Sequence, residues 1–150
     1  METQAEKLFL RYKTKYISKL GRHALDNTEI DTFAKSIFGS KYKGSFAQDQ
    51  NFEFKSGFYI INTDIEKGPG EHWIGLVLTP KTAHIYDSFG RDPQKLVPHL
   101  TKRLTKAKRK IISSDRTDKE QRGLSVICGH LSLAWLTVVK ELGIRAAKKI

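Results

Sequence analysis

Cysteine is almost absent: one residue, Cys128, among 150. A single thiol excludes a disulfide framework and any cysteine-rich zinc site, and it suits a reducing compartment. Four prolines and eleven glycines are too few for a fibrous or linker-like chain. Long hydrophobic runs are missing as well. The longest uncharged stretch, Gly123 to Val139, falls short of the ~20 apolar residues that a membrane span needs and contains Gly, Ser and His. It reads as a buried helix. The start, METQAEKLFLRYKTKY, carries no apolar core of a secretory signal, so the expectation is a soluble protein inside a cell, made there or delivered there. No His/Asp/Glu group has metal-ligand spacing and no glycine-rich phosphate loop occurs, so no metal or nucleotide cofactor is expected.

What is present is a globular balance of 39% hydrophobic and 29% charged residues. The length is that of one domain with a sizeable core, 1–150. Acidic charge is in short supply, with 27 Lys and Arg against 16 Asp and Glu, a net of +11. The excess is uneven. Residues 1–75 carry 11 basic and 10 acidic side chains, whereas residues 76–150 carry 16 and 6. A basic half of that kind points to a polyanionic partner such as nucleic acid, with an anionic membrane surface as the other candidate.

Hydrophobic spacing outlines the elements. Ala5, Leu8, Phe9, Tyr12, Tyr16 and Leu20, with lysines and Arg11 between them, predict an amphipathic helix that ends at Gly21. A second helix is expected from Asn27 or Thr28, with Thr28 and Asp31 in capping-box spacing and Gly39 as its stop. The period then changes. Phe58 to Ile61, Trp73 to Leu78 and Ala83 to Tyr86 read as strands, the last two joined through Thr79-Pro80-Lys81-Thr82. Pro93 opens a basic helix to about Lys108 with a bend at Pro98. Lys110 to Ser113 reads as a short strand. Cys128 begins a final helix whose buried stripe is Ile127, Leu131, Ala134, Trp135, Val138 and Leu142, with Gly143 as its cap. The sum is an α+β domain.

Cys128 is the first residue with chemistry to offer. At a helix N-terminus, free backbone N–H groups and the helix dipole favour a thiolate; a small buried hydrophobe is the plainer role for a cysteine. A nucleophile needs a base, and His72 precedes a strand just after a Pro-Gly turn. If Pro80-Lys81 is a two-residue hairpin loop, Ile74 faces Asp87 and His72 faces Phe89. His72 and Asp87 then share one face as diagonal neighbours, roughly 7–8 Å apart at Cα. A carboxylate there would hold the imidazole's tautomer; as a strand-end turn former, Asp87 would need no such role. Gln121 offers a neutral amide that, with the backbone N–H of Cys128, would stabilise an oxyanion, although a glutamine in a charged loop is ordinarily solvated. The other histidines fit less well. His84 faces away from Asp87 by strand alternation, His130 points elsewhere on the helix, and His23 and His99 sit in basic helical surroundings.

The order His-Trp, Asp, Gln, Cys-Gly resembles that of the adenovirus-type maturation cysteine proteases (adenain-like), which share a structural clan with the proteases of ubiquitin-like proteins. The matching pieces are Ile61-Asn62-Thr63 before the Gly-rich turn, Gly70-Glu71-His72-Trp73, Tyr86-Asp87-Ser88-Phe89-Gly90, and Gln121 through Cys128-Gly129. The segment Thr28 to Gly39 looks like the family's early helix. The likeness spans about residues 25–142 and leaves 1–24 as a basic helical extension. It implies a papain-like, adenain-like fold, with a central mixed β-sheet, helices packed on it and the nucleophile at a helix N-terminus. It also implies a thiol protease with Cys128 as nucleophile, His72 as general base, Asp87 as orienting acid and Gln121 as oxyanion donor. Adenain has Glu where Asp87 stands; the ubiquitin-like-protein proteases have Asp. The peptide cofactor that adenain binds by a disulfide has no second cysteine here to receive it, which leaves DNA or a non-covalent peptide as possible activators.

By the same resemblance Trp73 walls a narrow channel that admits small residues, so cleavage is expected at Gly-containing sequences of viral capsid or core precursors. Core packing alone would account for Trp73 equally well. Lys102, Arg103, Lys106, Lys108, Arg109 and Lys110 are either a solvated face or a sequence-independent DNA track. The setting implied is a DNA virus, virophage or Polinton-type element, with the protein monomeric and acting in the host cell interior and the virion. Two other functions use parts of the same pattern: a SUMO- or ubiquitin-like-protein protease of the effector type, and a non-enzymatic DNA-binding virion protein.

Overall fold

Two apolar runs, Gly57–Asn62 (β2) and Trp73–Leu78 (β3), pair antiparallel at the centre of a five-stranded sheet. Both are apolar almost throughout because both faces are covered. The computed structural model describes residues 3–114, 126–148 and 150. Tyr42–Ala47 (β1) runs parallel to β2 at one edge, Thr82–Tyr86 (β4) pairs antiparallel with β3, and Lys110–Ser113 (β5) lies parallel to β4 at the other edge. The helices among these residues are Gln4–Leu20 (α1), Asn27–Phe38 (α2), Pro93–Leu96 (α3), Pro98–Lys106 (α4), Cys128–Leu142 (α5) and Ile144–Ala147 (α6). The protein is therefore α+β with a mixed sheet. None of the described helices is long and apolar enough to cross a membrane.

Alternation along the strands sorts the core into two layers. Phe58, Ile60, Val77 and Tyr86 face α1, α2 and α5, while Tyr59, Ile61, Ile74, Leu76 and Ile85 face Val97, Leu100 and Leu104 beside and within α4. On the first side Trp135 of α5 stacks on Tyr86, with ring centroids 5.4 Å apart. Gly75 makes that approach possible, since a Cβ there would meet Trp135 at 3.0 Å. Helix α5 is buried from Cys128 to Val139 on all sides rather than along the expected stripe. It lies between the sheet and α1, which is no loose extension. Phe9 is fully buried, and Tyr16 shares a 2.8 Å hydrogen bond with Thr137 of α5.

Local chemistry explains where the elements differ from expectation. The capping box of α2 is Asp26 with Glu29, not Thr28 with Asp31: Asp26 Oδ1 accepts from the Glu29 N–H at 2.8 Å, and Glu29 accepts from the Asp26 N–H at 3.1 Å. The helix expected from Pro93 to about Lys108 is two helices, because Val97 before Pro98 cannot hold the α conformation (φ −131°, ψ 64°). Strand β1 has no counterpart among the strands that the hydrophobic spacing predicts. YKGSFA is a half-exposed edge with no clean alternation, and the ladder shifts register between Tyr42 and Gly44. His23 lies in the link after α1, paired with Glu29, rather than in a helix.

Candidate active site

The β3–β4 hairpin places the first two groups. Its register pairs Gly75 with Tyr86 and Leu76 with Ile85, the alignment that the Pro80-Lys81 loop predicts, and the Thr79 N–H donates to Thr82 O at 3.0 Å to close the turn. Just beyond the paired residues, His72 and Asp87 meet on one face: Nε2 of His72 lies 2.6 Å from Oδ1 of Asp87. Both are buried, at 5% and 2% exposure. Burial alone would raise the Asp87 carboxyl. Hydrogen bonds from His72 and from the side chain and backbone of Arg91 outweigh it and hold Asp87 far below the usual carboxylate range. Asp87 is thus an ionised acceptor, so His72 Nε2 carries the proton that joins them.

Burial likewise presses the His72 pKa down, but Asp87 and the Cys128 sulfur prevail and leave it raised above the ordinary histidine value. Nδ1 of His72 has no hydrogen bond of standard geometry, yet the Cys128 sulfur is near enough to act on the ring. The imidazole is arranged to hold Asp87 with one nitrogen and to exchange a proton with the thiol through the other.

Cys128 is the first residue of α5, and no side chain among the described residues caps that helix. Its sulfur accepts the Trp73 backbone N–H at 3.2 Å. The donor comes from the start of β3, where His72 instead sends its carbonyl to the Thr63 N–H at 2.8 Å. One strand end therefore supplies both the imidazole and a backbone donor to the sulfur. Gly129 lets α5 start this close: a Cβ there would meet Leu25 at 3.2 Å and both Ile30 and Trp73 at 3.4 Å. The Trp73 indole N–H donates to Leu25 O at 2.8 Å, fixing the loop before α2 against the site.

A cleft of about 470 Å³ opens beside Cys128. Leu25, Phe46 and Trp73 form apolar parts of its wall, and Asp26, Glu66 and Glu71 bring charge to it. Trp73 thus both packs on the core and lines the cleft.

Sequence reasoning missed Arg91 and the ring beneath it. Arg91 donates to Asp87 Oδ2 through Nε and its backbone N–H, both at 2.9 Å, and to Oδ1 through Nη2 at 3.3 Å. Its guanidinium lies 4.9 Å from the centre of the Phe89 ring, and that ring stacks on His72 at 5.4 Å. Phe89 and Arg91 brace both members of the pair. The available signal was the Asp-x-x-x-Arg spacing after a strand end, which a turn brings back on itself through the Gly90 N–H to Asp87 O bond of 2.9 Å.

Gln121 lies outside the described residues. The remaining histidines serve elsewhere: His84 contacts Thr82, His130 bonds Gly21 O, His23 bonds Glu29, and His99 in α4 donates its backbone N–H to Gln48. The six basic residues from α4 to the start of β5 divide. Arg103 donates to the carbonyls of Gln50 and Phe52, and Arg109 to those of Pro80 and Phe54. Lys102, Lys106, Lys108 and Lys110 are exposed. Among the described residues no three His, Cys, Asp or Glu side chains converge as a metal cage. No protein-family model and no curated protein matches the chain.

Proposed function

We propose that the chain is a cysteine endopeptidase of the adenain-like, papain-like type that cleaves viral capsid or core precursors at Gly-containing sites. The observation that carries the reading is the 2.6 Å His72–Asp87 bond on one side of a sulfur that opens a buried helix. A merely structural cysteine needs neither a base held in one tautomer nor a donor from an adjoining strand.

The chemistry is acyl transfer. Nδ1 of His72 takes the Cys128 proton, and the raised pKa of the ring favours the resulting imidazolium. The thiolate attacks the scissile carbonyl carbon, and the C–S bond forms as the carbonyl pair moves to oxygen. N–H groups of the first turn of α5 face that developing oxyanion, with Gln121 as the further donor that the family pattern supplies. Collapse breaks the C–N bond, and His72 delivers its proton to the leaving amine. Water then attacks the thioester, His72 accepts its proton, and the proton returns to sulfur as the acid departs. Asp87, fixed by Arg91, keeps the ring aligned throughout.

A supporting part in DNA binding falls to Lys102, Lys106, Lys108 and Lys110, whose ammonium groups are exposed. Arg103 and Arg109 contribute by tethering the loop at residues 50–54.

The test is cleavage of a capsid precursor by wild type and Cys128→Ala, with and without DNA, beside a ubiquitin-like fusion. Cleavage of the precursor by wild type alone is expected, with a boost from DNA that added salt removes. Cleavage of the fusion alone reassigns the substrate to ubiquitin-like proteins. Equal behaviour of both variants, with DNA binding intact, makes the protein a non-enzymatic DNA binder.

A further inference from the structure

Asn62 is 9% exposed and lines the cleft, yet half of its side chain is unused. Its Oδ1 accepts two backbone N–H groups, from Asp64 at 2.9 Å and from Glu71 at 3.1 Å, and so ties down both ends of the turn at residues 64–71. Those two donors fix which way the amide faces, because both need an oxygen. Nδ2 is left over. It bonds no described residue, and it is not among the buried polar atoms that lack a partner. The amide group therefore keeps access to the cleft. Gly70, at φ 92°, leaves it open: a Cβ there would stand 3.5 Å from Nδ2 and screen it.

The sheet places that amide on the way to the sulfur. Ala47, Asn62 and Trp73 are register partners at the ends of β1, β2 and β3, and all three line the cleft. Asn62 and Trp73 stand directly opposite each other, so their side chains share a face. It is the face on which Phe58, Ile60 and Val77 pack toward α5. The Trp73 N–H is the one that meets the Cys128 sulfur at 3.2 Å. Adjacent strands lie about 4.7–4.9 Å apart, so Asn62 is one strand spacing from the residue that touches the nucleophile. An extended chain advances roughly 3.3 Å per residue, which puts the amide within about three residues of a bond held at the sulfur. Of the described residues around it, Asp26, Glu66 and Glu71 are acidic and disfavour a carboxylate. The acceptor that suits Nδ2 is an uncharged carbonyl.

We infer that Asn62 is a substrate-binding residue: Nδ2 donates to one main-chain carbonyl of an extended peptide, and that bond sets the register of the chain against Cys128. The inference deepens the protease reading and rests on it for the bond that is cut. The carbonyl that is held follows from the geometry of Asn62.

The test separates binding from chemistry. Asn62→Asp keeps an acceptor for the Asp64 and Glu71 N–H groups and replaces the donor with a second oxygen. Fluorescent octapeptides, taken from Gly-containing stretches of the capsid precursor and of the ubiquitin-like fusion, are titrated by anisotropy into full-length Cys128→Ala, with and without Asn62→Asp. The same peptides are offered to wild type for cleavage. In the tightest binder each peptide bond is then replaced in turn by an alkene isostere, which removes its carbonyl. One position is expected to couple to residue 62: its replacement costs about tenfold more affinity with Asn62 than in the Asn62→Asp variant. Replacements elsewhere cost the same in both. Asn62→Ala also strips the turn of its acceptor, so it should weaken every peptide alike and still show the same single coupled position. Equal costs at every position in both backgrounds, or no saturable binding by any octapeptide, would overturn the proposal. Cleavage reads the other question: a coupled carbonyl without turnover by wild type keeps the peptide site and removes the protease, and turnover without coupling does the reverse.

Discussion

Two buried imidazoles stand near Cys128, and they have been put to opposite uses. His72 and His130 are 5% and 0% exposed. They differ in what Nε2 meets. For His72 it is the ionised carboxylate of Asp87 at 2.6 Å; for His130 it is the neutral carbonyl of Gly21 at 2.7 Å. Burial lowers the pKa of both. Asp87 and Cys128 reverse that at His72, while at His130 burial wins, helped by the electrostatic influence of neighbouring His23 and Arg22. Burial makes a histidine expensive to charge, and only a buried counter-charge makes it useful as a base.

The comparison breaks most visibly at the pair itself. Asp87→Asn or His72→Gln should lower kcat about a hundredfold to ten-thousandfold, measured on any peptide that wild type cleaves. His130→Gln should leave kcat within a few-fold. Its expected cost is in stability, about 1–3 kcal/mol from the unpaired Gly21 carbonyl, read by urea denaturation. A kcat loss at His130 equal to that at His72 would abolish the distinction.

Arg91 tests how far the counter-charge is itself supported. Arg91→Met should reduce kcat about tenfold, equivalent to ~1.4 kcal/mol, and raise the Asp87 pKa. The basic limb of the pH–rate profile should move down with it, because a less firmly ionised or misaligned Asp87 supports the imidazolium less. A KM effect with an unchanged profile would mean that Arg91 acts on substrate instead.

The smallest effects lie in pH-dependent stability, where the two histidines have opposite signs. The His72 pKa is raised, so its contribution is full below the unfolded value of about 6.5 and fades as pH rises through the folded value. The His130 pKa is lowered, so its contribution is full above about 6.5 and fades as pH falls through the folded value. Asp87 behaves as His130 does but in the acid range, its contribution full above the unfolded value of about 4 and lost progressively as pH falls from there through the lowered folded value. NMR titration of the ring protons should find His72 above and His130 below the ordinary histidine value, and His130→Gln should flatten the stability loss on the acid side of neutrality.

Parts of this site could be read before any fold was known. The Pro80-Lys81 turn sets the hairpin register, and a register sets which side chains share a face, so the His72–Asp87 meeting followed from counting. The start of α5 at Cys128 and its end at Gly143 followed from apolar spacing and a glycine stop. Asp26 as the cap of α2 was readable as Asp-x-x-Glu, but Thr28 and Asp31 offered a competing pattern two residues on. The roles of Arg103 and Arg109 were not readable. A run of Lys and Arg looks alike whether its guanidinium groups meet water, phosphate or a carbonyl some fifty residues earlier in the chain.

What sequence alone determined, then, is what depends on short-range geometry: the period of each element, the hairpin register and the helix that begins with the only thiol. The tertiary structure decided everything that depends on elements distant in sequence meeting in space. It put the Trp73 N–H on the Cys128 sulfur, packed α1 along α5, set His130 against Gly21 while His72 met Asp87, and gathered acids from two separate segments around one cleft. The physical reason is range. A turn or a cap is settled by bonds within a few residues, whereas the proton affinity of a buried group is set by whichever charges and dipoles the packed core leaves within a few ångströms of it.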